Sequence, residues 1–244
     1  NGLHHGTYIK IGNDLNIERK QDKEENMDFL DKRVGVICNE LKKLKVKQVF
    51  PLTQWEYKEG NFIHPEDALK DEAAWENFDC KTMHWYGKDR HYWFRTTYTV
   101  PEELDGKSIW IRVSSQIDEW DDGRNPQFIV FVNGEVYQGI DMNHRECLIT
   151  RSGKAGETLT IDLQAYTGIM HEEFALRTQI EEIDAEIEKL YYDLWVPLAA
   201  FSRMEADDKN RKDIEYVLNE TINLLDLRTP YSEDFFRIVR EASA

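Results

Sequence analysis

The stretch WYGKDRHYWFRTTYTVP, residues 85–101, decides the fold that we predict for this chain. Alternate side chains of an extended chain share a face. One face of this stretch therefore carries Tyr92, Phe94, Thr96, Tyr98 and Val100, and the other carries Trp93, Arg95, Thr97 and Thr99. The period of two and the many aromatic and β-branched residues predict a strand. Pro101, which cannot donate to a strand ladder, predicts its end.

Short segments with the same alternation follow this strand. They predict strands at 108–115, 127–132, 135–138, 145–150 and 157–163. Asn133-Gly134 predicts a tight hairpin because both residues tolerate a positive φ, and Asp105-Gly106 predicts a turn. Strands of this length without helices between them predict an antiparallel β-sandwich or jelly roll over residues 75–168.

Helical periodicity appears on both sides of the predicted sandwich. Residues 22–46 carry apolar side chains at steps of three and four, which predicts an amphipathic helix. Residues 47–84 show no clear period, so we expect an irregular segment that covers the core with Trp55, Trp75 and Phe78. After Gly168 a second helix is predicted from the spacing of Leu176, Ile180, Ile183, Ile187, Leu190 and Leu194.

Two more helices are predicted towards the end of the chain. Pro197 is expected to end or kink the helix that contains it. A helix after Asp207 or Asp208 should bury Ile214, Val217, Leu218, Thr221 and Leu225. Ser232 is predicted to cap the other helix, which begins with Glu233 and reaches the end of the sequence, so we expect the natural protein to continue. The predicted domains are an N-terminal helix and covering segment (1–84), the sandwich (85–168) and a helical linker (169–244).

The composition excludes some classes of function. The 244 residues include 47 acidic and 31 basic side chains, a net charge of −16, which argues against binding to nucleic acid. No apolar run is long enough to span a membrane, so no membrane partner is expected. The three cysteines are widely spaced, which predicts free thiols in a reducing, cytoplasmic compartment. A lost signal peptide stays an open alternative, because the sequence does not begin with Met.

Two polar loops are candidates for a site. Residues 117–123, IDEWDDG, predict either a structural calcium site or, as we favour, a plain solvated loop. In the second loop, residues 139–148, Asp141, Asn143, His144 and Arg145 could bind sugar hydroxyls or dock on another domain. The alternative is that Asp141 and Asn143 cap the turn while Arg145 pairs with an acid.

Common catalytic motifs are missing from the sequence. It contains no HExxH metal motif, no GxSxG nucleophile elbow and no phosphate-binding glycine loop. We therefore predict no catalytic residue, no metal site and no cofactor in these residues. Arg95 is expected to be a paired structural arginine.

Three segments together resemble the N-terminal region of bacterial α-mannosidases of glycoside hydrolase family 38. They are WYGKDRHYWFRTTYTVPEELDGK, NPQFIVFVNGEVYQGIDMNHRECLIT and AGETLTIDLQAYTG, in order over about residues 85–168. The resemblance implies a galactose-binding-like jelly roll and a helical linker, followed by a catalytic domain that holds zinc with an HxD motif and uses an Asp nucleophile. No residue here matches those metal ligands or that nucleophile.

Three hypotheses about function follow. In the first, this chain is a non-catalytic platform for the zinc-dependent catalytic domain of a retaining α-mannosidase, whose substrate is an α-mannoside. In the second, it is an independent carbohydrate-binding module that stacks sugars on Trp85, Tyr86 or Trp93. In the third, the acidic helices form a homo-oligomer.

Overall fold

The computed structural model describes residues 29–115 and 124–244. The helices are α1 (Phe29–Leu44), α2 (Pro65–Lys70), α3 (Ala185–Phe201), α4 (Arg211–Leu224) and α5 (Glu233–Ala242). The strands are β1 (Val46–Leu52), β2 (Gln54–Glu59), β3 (Glu76–Asp79), β4 (Trp85–Gly87), β5 (His91–Thr99), β6 (Ile109–Ser114), β7 (Gln127–Val132), β8 (Glu135–Ile140), β9 (Glu146–Thr150), β10 (Thr158–Tyr166), β11 (Glu172–Phe174) and β12 (Arg177–Ile183).

The chain divides into two compact units. The sandwich unit is Lys45–Ala185, and the described part of the helical unit combines residues 29–44 with Glu186–Ala244. The predicted three-part division of the chain differs from this one, because strands of the sandwich unit also lie at 46–79 and 172–183.

The sandwich unit is built from antiparallel sheets. Six strands form one sheet in the order β3-β2-β5-β10-β7-β8, and four form the other in the order β1-β12-β6-β9. β4 and β11 form a separate two-stranded ribbon. Fully buried side chains from both large sheets, including Phe94, Ile111, Val130, Leu163 and Ile180, make one core. The predicted antiparallel β-sandwich with flanking helices is confirmed.

The stretch that predicted the fold is a long central strand. β5 pairs with β10 over its whole length, and Tyr92 and Phe94 enter the core as the period of two requires. Trp93 lies on the opposite face of the same sheet but is also fully buried, since Ala68 and the rings of Phe62 and Trp75 cover it. The sheet is therefore packed on both faces at this point.

A buried lysine fixes the covering segment in place. Lys58 is 4% exposed, and its Nζ donates to the carbonyl oxygens of Ala68 at 2.8 Å and Ala73 at 3.2 Å. The same Nζ pairs with Oδ1 of Asp71 at 2.8 Å. A buried ammonium needs such partners to offset its lost hydration, so Lys58 ties α2 and its flanking loops to the sheet.

Two predictions of local structure are wrong. Residues 47–84 are not irregular, because they contain β1, β2, α2 and β3. The period of two is broken in these strands, because β1 exposes Val49 and Pro51 while β2 buries the charged Lys58.

Residues 177–183 form β12 and not the start of a helix. Leu176 and Ile180 are four residues apart, and that spacing places them on one face of a strand as well as on one face of a helix. Both side chains enter the sandwich core.

The helical unit has its own apolar core. It is formed by side chains of α1, α3, α4 and α5, namely Leu30, Val34, Cys38, Leu41, Ile187, Leu190, Leu194, Leu218, Ile222, Phe235 and Val239. The predicted cap of the last helix is confirmed, since Ser232 Oγ accepts from the N–H of Phe235 at 3.1 Å. The part of the predicted first helix that precedes Phe29 lies outside the described residues.

α3 continues through Pro197 to Phe201, so of the two predicted effects of the proline, an end or a kink, the end is excluded. One detail of the helical unit differs from expectation. Val217, predicted to point inward, is 59% exposed, and Ile222 takes the buried position instead. Among the helices at 29–115 and 124–244, none combines the length and apolar character that crossing a membrane requires.

Candidate functional site

The predicted polar loop lies at one end of the sandwich, where four strands begin or end. β8 ends at Ile140 and β9 begins at Glu146, so residues 141–145 form the turn between the two sheets. β6 ends and β7 begins beside this turn. The antiparallel arrangement thus brings together loops that are separate in the sequence.

Asp141 organises the backbone of this turn. Its Oδ1 accepts from the backbone N–H of Asn143 at 2.8 Å and of His144 at 2.7 Å. His144 Nδ1 lies 3.0 Å from the same oxygen. This is the local capping expected of an Asp in a turn, and it fixes the positions of Asn143 and His144.

Asp141 is held in its ionised form by these contacts. Partial burial acts to raise its pKa, but the hydrogen bonds from the backbone of His144 and Asn143, with the nearby His144 side chain, outweigh burial and lower the pKa. The turn therefore carries a carboxylate at neutral pH.

A small pocket opens beside the turn. It is lined by Val113, Ser114, Ser115, Asn125, Pro126, Phe128, Ile140, Asp141, Met142 and Arg145. Its interior volume of about 10 Å³ is room for about one water molecule. The pocket formed by the described residues is thus too small for a sugar ring, and a ligand at this end would contact the rim.

The four predicted residues divide between the pocket and the surface. Asp141 and Arg145 line the pocket, and Arg145 Nε donates to the carbonyl oxygen of Met142 at 3.1 Å. Asn143 and His144 are exposed, the His144 side chain by 71%. Their side chains are the ones that the turn presents to solvent.

Two residues that complete this pocket, Ser115 and Asn125, were not predicted from the sequence. Asn125 is 3% exposed, and its Nδ2 lies 3.8 Å from the sulfur of Met142. Ser115 follows β6, and its Oγ lies 3.5 Å from Oδ1 of Asn125. The available signal was that Ser115 is the last residue of one predicted strand and Asn125 closely precedes another. The acidic loop at 117–123 lies outside the described residues.

The conspicuous aromatic residues are mostly part of the core. Trp85 is 2% exposed and Trp93 is fully buried, so neither can stack on a sugar in this structure. Tyr86, on the ribbon of β4 and β11, is 61% exposed and meets the ring of His171 edge-on at 6.4 Å. Of the three candidates for a stacking platform, Tyr86 alone is accessible.

The thiols are not activated as nucleophiles. All three cysteines are free, and burial raises the pKa of Cys38, Cys80 and Cys147 to about 11. Within residues 29–115 and 124–244, no group of three or more His, Cys, Asp or Glu side chains has the geometry to hold a metal ion.

No protein-family model matches the sequence, and no curated protein matches it. Solved structures of a β-glucuronidase from Ruminococcus gnavus match part of the chain.

The complex of that enzyme with uronic deoxynojirimycin is 12% identical over 58% of this chain and 30% of that chain, with a TM-score of 0.38. Its complex with D-glucaro 1,5-lactone is 13% identical over 58% of this chain and 30% of that chain, with a TM-score of 0.38. Another crystal structure of the enzyme is 13% identical over 57% of this chain and 29% of that chain, with a TM-score of 0.37.

The chain thus spans less than a third of the length of these glycosidase structures. Structural similarities with TM-scores this low do not indicate the function of this chain. None of the comparisons supports the α-mannosidase family, which stays a prediction.

A second polar group, which the sequence analysis did not single out, lies on the outer face of the four-stranded sheet. Because Ile180 enters the core, its neighbour Glu181 points to the other side. Glu146 on the same face pairs with Lys45 Nζ at 2.6 Å and with Arg112 Nη1 at 2.6 Å. Glu181 is 2% exposed, and its Oε2 has no hydrogen-bond partner.

Glu181 binds its proton more tightly than a free glutamate. Burial is the main cause that raises the pKa of this carboxyl group, and the charge of Glu146 raises it further. A hydrogen bond from Gln179 and the charges of Arg112 and Lys45 lower the pKa, but by less. The pKa of Glu181 is higher in the folded protein than in the unfolded chain. The contribution of Glu181 to the free energy of unfolding is therefore most favourable below its unfolded-state pKa, and it is lost as the pH rises through its folded-state pKa.

Replacing this carboxyl group should therefore stabilise the protein at neutral pH. We expect Glu181→Gln to raise the free energy of unfolding at pH 8 by about 1 kcal/mol, since a neutral amide costs less to bury than an ionised carboxylate. Urea denaturation at pH 8 and at pH 4 measures the effect, which should shrink at pH 4. Glu135→Gln, at an exposed position on β8, is the matched control. An equal effect at both pH values would contradict this account.

Proposed function

We propose that this chain is a non-catalytic β-sandwich of a carbohydrate-active enzyme, and that its turn at 141–145 helps to shape a sugar-binding cleft. The observation that carries the proposal is the internal bonding of the turn. Asp141 fixes the backbone at Asn143 and His144, whose polar side chains point to solvent. A backbone held in this way loses little conformational entropy when the turn binds a ligand.

The burial of the aromatic residues supports a structural role for the rest of the sandwich. Trp85, Trp93, Phe94 and Phe128 are used to fill the interior. The sandwich is therefore suited to act as a rigid support that carries the turn.

We further propose that the enzyme is an α-mannosidase. This finer assignment depends on the three sequence segments that resemble family 38, and it implies that a separate zinc-dependent domain, the partner of this chain, performs the hydrolysis. In that arrangement the zinc of the separate domain would bind sugar hydroxyls, and two carboxylates of that domain would act as nucleophile and acid. Asn143 and His144 would contact the sugar from the side of the sandwich.

The first experiment tests the non-catalytic role. The 244-residue chain is incubated with a chromogenic α-mannoside, with and without zinc, and we expect no hydrolysis above background. Zinc-dependent release of the chromophore would overturn the proposal. The product of the complete gene is assayed in parallel on α-mannosides and on other aryl glycosides, including a β-glucuronide. Activity on a sugar other than mannose would overturn the α-mannosidase assignment alone.

The second experiment tests the turn in the product of the complete gene. We expect His144→Ala and Asn143→Ala each to raise KM about threefold to tenfold, the effect of losing one hydrogen bond to a sugar hydroxyl. Lys154→Ala, in an exposed turn at the other end of β9, is the matched control and should leave KM unchanged. Unchanged kinetics in both turn variants would show that the turn does not reach the substrate.

The exposed ring of Tyr86 favours one alternative, an independent carbohydrate-binding module. An accessible tyrosine can stack on a sugar face. Calorimetry with mannose, mannobiose and galactose separates the two proposals, since the platform predicts no heat at millimolar ligand. Binding that is lost in Tyr86→Ala and kept in His144→Ala would establish the module.

A further inference from the structure

Helix α3 is apolar on two opposite faces. One face enters the core of the helical unit through Ile187, Leu190, Leu194 and Phe201. On the other, Tyr192, Trp195 and Val196 are 45%, 46% and 54% exposed. The sequence LYYDLWVPLAAF at 190–201 contains one charged residue, Asp193, which pairs with Lys189 at 2.6 Å. Helices that are apolar all round are typically covered on every side.

The exposed apolar face is well ordered by ring contacts. The ring of Trp195 stacks on Tyr191, with centroids 6.4 Å apart and an interplanar angle of 19°. Tyr192 meets the ring of Trp195 edge-on at the same separation. We call Tyr192, Trp195, Val196 and Ala199 the α3 surface. Aromatic side chains that are already packed lose little freedom on binding, and such residues dominate interfaces.

Opposite charges lie at the two ends of the α3 surface. Glu188 precedes Tyr192 by one helical turn on the same face. Arg203 lies just beyond the end of α3, and its Nη1 donates to the carbonyl oxygen of Ala199 at 2.8 Å. The surface is thus apolar in the middle, acidic at its N-terminal end and basic at its C-terminal end.

We propose that the α3 surface binds the α3 surface of a second copy of this chain, with the two helices antiparallel about a two-fold axis. Trp195 and Val196 of both copies meet at the axis, and Tyr192 of one copy packs on Ala199 of the other. In this arrangement Glu188 of each copy faces Arg203 of the other. A parallel pair would place like charges together, so the charges select the antiparallel dimer.

Sedimentation equilibrium of the 244-residue chain tests the dimer. The net charge of −16 makes the two copies repel each other, so the measurement is made at 0.15 M NaCl and above, where this repulsion is screened over about 8 Å. We expect a reversible monomer–dimer equilibrium and at least a tenfold higher dissociation constant for Trp195→Ala. Tyr216→Ala is the matched control, because Tyr216 is an exposed aromatic residue on α4 outside the α3 surface.

A charge exchange tests the antiparallel geometry. Arg203→Glu should weaken the dimer about tenfold, and the double variant Glu188→Arg with Arg203→Glu should return the dissociation constant to within about threefold of the original. Circular dichroism confirms that each variant is folded. A chain that stays monomeric at every concentration, or a Tyr216→Ala variant that weakens the dimer as much as Trp195→Ala, would overturn the proposal.

Discussion

Trp85→Ala is expected to lower the free energy of unfolding of the sandwich unit by about 3–5 kcal/mol. The Trp85 ring lies at the centre of an aromatic cluster. Its centroid is 5.5 Å from that of Tyr92, 5.4 Å from Phe94, 5.8 Å from Phe128 and 4.9 Å from Phe174. Removing the ring leaves a cavity between the ribbon of β4 and β11 and the six-stranded sheet. Chemical denaturation followed by tryptophan fluorescence measures the loss.

The neighbouring residue supplies the control for this prediction. Tyr86 is on the same strand but 61% exposed, and Tyr86→Ala should change the free energy of unfolding by at most about 0.5 kcal/mol. The hydrogen bond from the hydroxyl of Tyr92 to the carbonyl oxygen of Tyr86 is kept in this variant, because its acceptor belongs to the backbone. Similar losses in the two variants would show that Trp85 is not the centre of the cluster.

Arg95→Ala is also expected to destabilise the sandwich unit by about 3–5 kcal/mol, because it leaves a buried carboxylate without its partner. Arg95 and Asp162 are directly opposite each other on β5 and β10. Nε lies 2.6 Å from Oδ1 and Nη2 lies 3.0 Å from Oδ2, which is a bidentate pair. Asp162 is 1% exposed, so solvent cannot take the place of the guanidinium. The predicted role of Arg95 as a paired structural arginine is confirmed.

Two further variants isolate the cause of this loss. In the double variant Arg95→Met with Asp162→Leu, no charge is buried, and we expect less destabilisation than in Arg95→Ala. Arg90→Ala is the matched control, since Arg90 pairs with Glu59 at 2.8 Å but both side chains are about half exposed. Its cost should be much smaller than that of Arg95→Ala, because solvent screens an exposed ion pair. Equal losses for Arg90→Ala and Arg95→Ala would contradict the importance of burial.

The alternation of side chains was sufficient to predict most of the central strands. The predicted strand at 92–100 is β5 at His91–Thr99, and the hairpin at Asn133-Gly134 has the positive φ values of 51° and 87° that its sequence requires. The alternation was insufficient where apolar side chains are four residues apart, because that spacing fits both a helix and a strand. Leu176 and Ile180 suit a helix and a strand equally, and pairing of β12 with β1 and β6 decides for the strand.

Only the part of the candidate site that is continuous in the sequence, the turn at 141–145, could be predicted. Asp141, Asn143, His144 and Arg145 are neighbours in the sequence, so a polar turn could be recognised there. The pocket beside them is also lined by Ser115, which follows β6, and by Asn125, which precedes β7. No local pattern indicates which strand ends meet at one end of a sandwich.

By itself, the sequence determined which segments are strands, where a hairpin turns and where the last helix is capped, because these depend on residues a few positions apart. Only the tertiary structure decided which side chains are covered. Trp93 is buried on the outer face of its sheet because Phe62, Ala68 and Trp75 fold back over it. Glu181 is buried by residues that are distant in the sequence. The apolar α3 surface, in contrast, is exposed to solvent. Burial is set by contacts between distant parts of the chain, and periodicity contains no information about those contacts.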